Sequence, residues 1–317
     1  MRIITADDIA RVLTYPALIE ALAAAFRGDT AAPVRHHHAI PHSDSDATLL
    51  LMPAWTASGA RFVGCKIVTV FPDNAKLGKP SVDGSYILIS GETGEPLAVM
   101  DGRALTAWRT AAASALAATH LAREDAADLV MVGAGALASH LVRAHASIRP
   151  LARVSLWNRT TVRAEEVATR LRRDGFDITI VDDREPAVRS ADIVCCATLS
   201  TAPLVRGAWL KPGTHVDLVG GYTPQMREAD DEVVRRARVF VDTRAGALVE
   251  AGDVVDPIRR GVIGERDIQG DLWDLCRGAV SGRRSASEIT LFKSVGTAVE
   301  DLAAAMLIWE RTSKFAL

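Results

Sequence analysis

The segment Asp128-Leu-Val-Met-Val-Gly133-Ala-Gly135-Ala-Leu-Ala-Ser-His140 constrains this chain more than any other. A short apolar run ends in two glycines and gives way to helix-forming residues. That order predicts a strand, a tight turn and a helix start, which together let backbone N–H groups meet a pyrophosphate. The position matters as much as the pattern. This unit begins well over a third of the way along 317 residues, so another structure precedes it.

A lone G-x-G turn also serves plain αβ connections, and Ser139 or His140 stands where the dinucleotide fingerprint has its third glycine. Context restores the signal. From Leu129 onward, apolar runs at Leu129–Val132, Val154–Trp157, Ile178–Val181, Ile193–Ala197, His215–Val219 and Val239–Val241 alternate with helical stretches such as Thr161–Arg173 and Glu185–Ser190. Such alternation predicts a parallel, doubly wound sheet, complete here after six strands. A helical pattern between Ser287 and Trp309 (Val295, Val299, Leu302, Ala305, Met306, Trp309) then returns to the first domain.

The N-terminal half reads differently. Thr5-Ala-Asp-Asp8 is a helix-capping signal ahead of Leu18, Ile19, Leu22 and Phe26 at helical spacing. Thr48–Met52, Phe62–Val70, Ser85–Ser90 and Pro96–Met100 are strand-like, with a hairpin turn at Gly91–Gly94, and Leu105–Leu121 is an alanine-rich helix. The expected fold is α/β: a Rossmann-type doubly wound domain over residues 122–290, and an α+β domain from residues 1–121 and 291–317.

Composition narrows the function. A net charge of −2, with acidic and basic residues mixed along the chain, leaves no field for nucleic acid or an anionic membrane. No apolar run reaches the roughly 20 residues that span a bilayer, and the first residues lack a signal-peptide pattern. Four cysteines without metal-ligand spacing, two of them adjacent in an apolar run, fit buried thiols in a reducing cytoplasm. His36-His-His38 lacks an acidic or cysteine partner at sensible spacing and reads as a polar loop; His42 with Asp44 and Asp46 reads as a solvated turn. No metal is expected.

At the end of the second Rossmann strand, Asn158, Arg159 and Thr160 replace the acid that bonds both ribose hydroxyls in NAD-selective sites. Neutral donors beside an Arg fork suit a 2′-phosphate, so NADPH is favoured and NADH allowed. Three cations in the first half, Arg35, Lys66 and Arg109, each have an ordinary structural explanation. Together they suit a small carboxylate substrate, Arg supplying a bidentate fork and Lys a point charge.

Leu50-Leu-Met-Pro53, Lys66, Leu105–Ala112, Val132-Gly-Ala-Gly135, Trp157-Asn-Arg-Thr160, Gly270–Cys276 and Ile289–Gly296 together resemble the ornithine cyclodeaminase/μ-crystallin family over nearly the whole chain. The resemblance implies a homodimer, with the substrate site in the half that also dimerises, against the nucleotide domain. It implies that Arg35, Lys66 and Arg109, with Met52, surround the substrate carboxylate. Cofactor contacts are implied at Thr110, at Gly133, Gly135, Ala136 and Leu137, and at Asn158, Arg159 and Thr160. Further contacts are implied at Ala197, Thr198, Val219, Gly220 and Ser294.

Departures from the founding pattern are informative. Members that cyclise ornithine carry a glutamate two residues before the motif methionine and an aspartate after the paired glycines following the fifth strand. Leu50 and Tyr222 stand at those places, so neither a carboxylate base nor a partner for an ammonium is present. The expected reaction is therefore NAD(P)H-dependent reduction of a cyclic imine bearing a carboxylate, Δ1-pyrroline-2-carboxylate or Δ1-piperideine-2-carboxylate, to L-proline or L-pipecolate. Lys66, the Tyr222 hydroxyl or a water supplies the proton, with Arg109 holding the substrate. The rivals are an alanine dehydrogenase and a non-catalytic protein binding NADPH and a small ligand.

Overall fold

The computed structural model describes residues 1–42, 45–57 and 61–314, so Asp44 lies outside the described residues. The chain divides into two compact units, Met1–Arg109 with Thr297–Leu317, and Thr110–Gly296. Thr110–Leu121 and Leu291–Gly296, which the sequence assigns to the first domain, fall in the second unit.

The first unit opens with β1 (Arg2–Ile4), α1 (Ala6–Val12) and α2 (Tyr15–Arg27). Thr5 and Asp8 form the expected capping box: the Thr5 hydroxyl accepts from Asp8 N, and Asp8 accepts from Thr5 N. Strands β2 (Thr30–Ala31), β3 (His36–Ile40), β4 (Ala47–Thr56), β5 (Phe62–Val70), β6 (Val82–Ser90) and β7 (Pro96–Asp101) follow, then α3 (Gly102–Leu121), whose residues from Thr110 on belong to the second unit. The sheet runs β1-β7-β6-β5-β4-β2, with β3 also on β4. Alternation along β4 to β7 buries one face, and the final helix (Ala298–Lys314) packs on that side against α2, β4, β5 and β6.

His36–His38 is a strand where a loop is expected. It pairs antiparallel with Leu49–Leu51 at the sheet edge, and all three histidines remain exposed. An edge strand has one pairing partner and no apolar face to bury, so its composition resembles that of a loop.

The second unit is a parallel sheet with helices between its strands: β8 (Asp128–Val132), α4 (Ala138–Ala146), β9 (Arg153–Trp157), α5 (Thr161–Arg173), β10 (Ile178–Ile180), α6 (Arg184–Ser190), β11 (Ile193–Cys196) and β12 (His215–Leu218). It continues through α7 (Asp231–Arg236), β13 (Arg238–Val241), α8 (Arg244–Glu250), α9 (Gly252–Arg259), β14 (Ile268–Gly270), α10 (Leu272–Cys276) and β15 (Thr290–Lys293). The order is β10-β9-β8-β11-β12-β15-β13-β14.

Eight strands, not six, make this sheet. Thr290–Lys293 is a buried strand inserted between β12 and β13, and the final helix starts only at Ala298, after Gly296 with φ +85°. A strand buried on both faces is a continuous apolar run, and periodicity alone cannot separate it from the start of a buried helix. Cys195 and Cys196 are buried free thiols, as expected. Cys195 and His145 pair with Asp217 at 3.2 and 3.0 Å, and the Ser114 hydroxyl donates to it at 3.1 Å, which satisfies a carboxylate in the core. No single described helix is long and apolar enough to cross a membrane.

Candidate active site

In the first unit, strand register explains how a lysine comes to lie in a hydrophobic core. Met52 pairs with Lys66, Lys66 with Tyr86, and Tyr86 with Met100, so the four side chains form one row across β4–β7. All four are buried, Lys66 to 2% exposure. A buried ammonium requires partners. The Lys66 Nζ donates to Asp301 Oδ1 at 2.9 Å and to the Thr106 hydroxyl at 3.3 Å.

Arg109, one turn beyond Thr106 on α3, meets the same carboxylate. Its Nη1 donates to Glu300 Oε2 at 2.5 Å and its Nε lies 2.9 Å from Asp301 Oδ1. Glu300 and Asp301 sit in the first turn of the final helix, where the macrodipole favours negative charge. Burial, reinforced by the Arg109 charge, pulls the Lys66 ammonium down to about 8; Asp301 opposes this and Arg35 adds to it. Lys66 and Arg109 thus meet at one carboxylate, with Met52 beside Lys66 and the Arg35 charge acting on the ammonium. The Tyr86 hydroxyl and Asp301 Oδ2 are buried there without a hydrogen-bond partner among the described residues. Burial, then the Asp301 charge, raises the Tyr86 hydroxyl's pKa.

Leu50 lies on the same face as Met52, paired with Val68 in the neighbouring row, and brings no charge to the cluster. Glu300, Asp301, Thr106 and Tyr86 are absent from the sequence reading. The available signal was two adjacent acids flanked by the apolar stripe of the final helix, a pattern also expected of an ordinary helix start.

In the second unit, Val132, Cys196, Leu218 and Lys293 are register partners across β8, β11, β12 and β15. The residues that follow them, Gly133, Ala197, Val219 and Ser294, therefore end four neighbouring strands at one level. Carboxyl ends at a switch in strand order are where open α/β sheets bind ligands.

Gly133 has φ +112°, and a Cβ there would meet Ala197 O at 2.6 Å. A Cβ on Gly135 would meet nothing within 4 Å, so space is left beside the backbone. The turn through Ala136 and Leu137 enters α4 without a side-chain cap, and the Ser139 hydroxyl is buried there without a hydrogen-bond partner among the described residues. Open space beside uncapped N–H groups fits a pyrophosphate.

Asn158 departs from expectation. Its Oδ1 accepts from Ala134 N at 3.1 Å and its Nδ2 donates to Thr160 O at 2.9 Å, so the side chain braces the glycine turn. Arg159 and Thr160 are exposed at the end of β9. Thr198 turns its N–H and hydroxyl to Glu228, and the Ser294 hydroxyl donates to Asp242 Oδ2 at 3.2 Å. Thr110 is buried in α3, and Tyr222 is half-buried beyond β12, its pKa raised by burial.

These features define a Rossmann-type nucleotide-binding protein with a buried cation cluster in its other unit. The chain belongs to the ornithine cyclodeaminase/mu-crystallin family, whose profile matches residues 2–315. It is 45% identical over 286 residues to Protein SAR DEFICIENT 4 of Arabidopsis thaliana, covering 88% of this chain and 86% of that one. It is 37% identical over 316 residues to a Delta(1)-pyrroline-2-carboxylate reductase of Colwellia psychrerythraea, covering 98% and 99%. Among solved structures, the Delta(1)-pyrroline-2-carboxylate reductase of Thermococcus litoralis, in complex with NADH and L-proline, matches with a TM-score of 0.94 and 33% identity. That match covers 100% of this chain and 99% of the other.

Proposed function

We propose that this chain reduces the cyclic imino acid Δ1-pyrroline-2-carboxylate to L-proline with a reduced nicotinamide cofactor, the six-membered Δ1-piperideine-2-carboxylate undergoing the same chemistry. The observation that carries this reading is Lys66 beside Met52 in an otherwise apolar row, meeting Arg109 at Asp301, with the Arg35 charge acting on it. Relatives and a solved neighbour bearing the reductase name support it.

Arg109 and Arg35 bind the substrate carboxylate. Glu300 and Asp301 hold the Arg109 guanidinium before substrate arrives, so little side-chain freedom is lost on binding. When bound, the reduced nicotinamide supplies hydride to the C=N carbon. Lys66 gives the proton to the ring nitrogen: with a pKa of about 8 it is charged at neutral pH yet close to releasing its proton. Burial makes the Tyr222 hydroxyl a poorer acid than usual. With Leu50 and Tyr222 at the two acid positions, the chain lacks the carboxylates that cyclodeamination of ornithine uses.

The glycine turn and the uncapped start of α4 take the pyrophosphate. Gly135→Val is expected to leave the melting temperature unchanged, because a side chain there meets open space, and to raise the Kd for NADH about tenfold. Unchanged Kd would remove Gly135 from the cofactor site. Exposed Arg159 and Thr160, with no acid at the end of β9, favour NADPH; the ratio of kcat/KM with NADPH and NADH tests this, and an Arg159→Ala variant without effect on it would refute it. The family resemblance supports a homodimer of the 33.9 kDa chain, which light scattering would refute by returning a monomer mass.

The deciding experiment is NAD(P)H oxidation with pyrroline-2-carboxylate, piperideine-2-carboxylate, and pyruvate with ammonia. Turnover of a cyclic imine is expected. Turnover confined to pyruvate and ammonia would make the chain an alanine dehydrogenase, and tight cofactor binding without any turnover would make it a binding protein.

A further inference from the structure

One buried charged cluster has no part in that chemistry. Glu228, Asp253 and Lys293 lie in the second unit, each no more than 1% exposed. Lys293 ends β15, and its Nζ is 3.5 Å from Asp253 Oδ2. Asp253 Oδ1 accepts the N–H groups of Glu228 and Ala229 at 2.7 and 3.1 Å, fixing the backbone that carries Glu228. Charges this deep are costly unless they are paired.

The Glu228 carboxylate then reaches across to two loops. Its Oε1 accepts the N–H and the hydroxyl of Thr198 at 2.6 and 2.8 Å. Its Oε2 accepts the N–H groups of Gly220 and Gly221 at 2.8 and 3.3 Å. Thr198 follows β11 and Gly220 follows β12, both beyond the switch in strand order between β8 and β11. That half of the sheet takes the second mononucleotide of a dinucleotide, the nicotinamide end. The two loops touch closely: a Cβ at position 220 would overlap the Thr198 backbone.

Peptide planarity supplies the consequence. In a trans peptide the carbonyl of one residue points opposite to the N–H of the next. Turning the Gly220 and Gly221 N–H groups in to Glu228 sends the Val219 and Gly220 carbonyls the other way. We propose that Glu228 is a positioning residue for the nicotinamide end of the cofactor, holding these peptides so that the Val219 and Gly220 carbonyls accept the N–H groups of the carboxamide. Asp253 holds the Glu228 backbone in place, and Lys293 supplies the opposing positive charge. The proposal rests on the nicotinamide reading above.

Binding of NADH and of ADP-ribose by wild type and by Glu228→Gln tests it, using NADH fluorescence and its displacement by ADP-ribose. ADP-ribose keeps the adenosine, the pyrophosphate and the second ribose but lacks the nicotinamide. A glutamine amide cannot accept on both sides, so one of the two touching loops must reorient. The Kd for NADH is expected to rise at least tenfold, while that for ADP-ribose stays within twofold. Equal weakening of both ligands would make Glu228 an ordinary core residue and overturn the proposal, as would an unchanged Kd for NADH. Wild-type protein that binds ADP-ribose but not NADH would overturn the nicotinamide reading itself. Lys293→Met, which removes the counter-charge and leaves every hydrogen bond of Glu228 to the two loops in place, is the second variant. It is expected to show the same NADH-selective loss, at threefold or more, and parallel losses would again refute the assignment.

Discussion

Lys66→Met lowers kcat/KM for the cyclic imino acid by about 10²–10⁴, the usual contribution of a positioned general acid. In the wild type, activity falls as pH rises through about 8, because the ammonium donates only while protonated. That alkaline limb disappears in the variant. Folding is expected to survive, for reasons the register makes plain. Position 66 lies between Met52 and Tyr86 in a buried apolar row that also contains Met100, so a methionine side chain matches its surroundings. Asp301 keeps Arg109 at 2.9 Å, so its carboxylate is not stranded. Removing one member of a buried ionic group destabilises less where the opposite charge retains another partner. Thermal unfolding should therefore show a folded variant with a melting temperature below wild type, by less than Arg109→Ala lowers it. A variant that keeps the limb near pH 8 would assign the proton to another group.

Arg109→Ala acts on stability and binding together. Glu300 and Asp301 both lose the guanidinium they pair with, and breaking a buried pair from one side costs about 3–5 kcal/mol. Loss of a hydrogen-bonded charge from the substrate carboxylate adds about 1.5–3 kcal/mol in binding, roughly tenfold to a hundredfold in KM. Arg109→Lys separates the two effects. It restores a cation to the carboxylates but lacks the planar fork, so urea unfolding should recover part of the lost stability while KM stays high. Near-wild-type KM in both variants would remove Arg109 from the substrate site.

The sequence discloses the second unit more fully than the first. The glycine turn and the runs ending at Val132, Ala197 and Val219 are legible because short apolar strands between helices have few other readings. β15 is illegible for the opposite reason: its four residues continue into an apolar stretch that suits a helix equally well. In the first unit, Lys66 is conspicuous as a lone charge in an apolar strand. Its partner Asp301 lies 235 residues away, and the Arg109–Glu300 pair spans 191. No local pattern announces contacts at such separation, and adjacent acids at a helix start already have a sufficient explanation in the helix dipole. Glu228 and Asp242 are hidden in the same way, since each acts on backbone N–H groups, which no side-chain motif reveals.

The claim that a cation cluster selects its substrate by the carboxylate is tested most directly by comparing Δ1-pyrroline-2-carboxylate with Δ1-pyrroline, the same ring without the acid. A site whose buried charged groups are left without their ligand rejects the shorter analogue by about 10⁴-fold in kcat/KM. A difference of that order is the predicted result. Comparable kcat/KM for the two rings would mean that Lys66 and Arg109 serve only Glu300 and Asp301, and the substrate would have to be sought elsewhere.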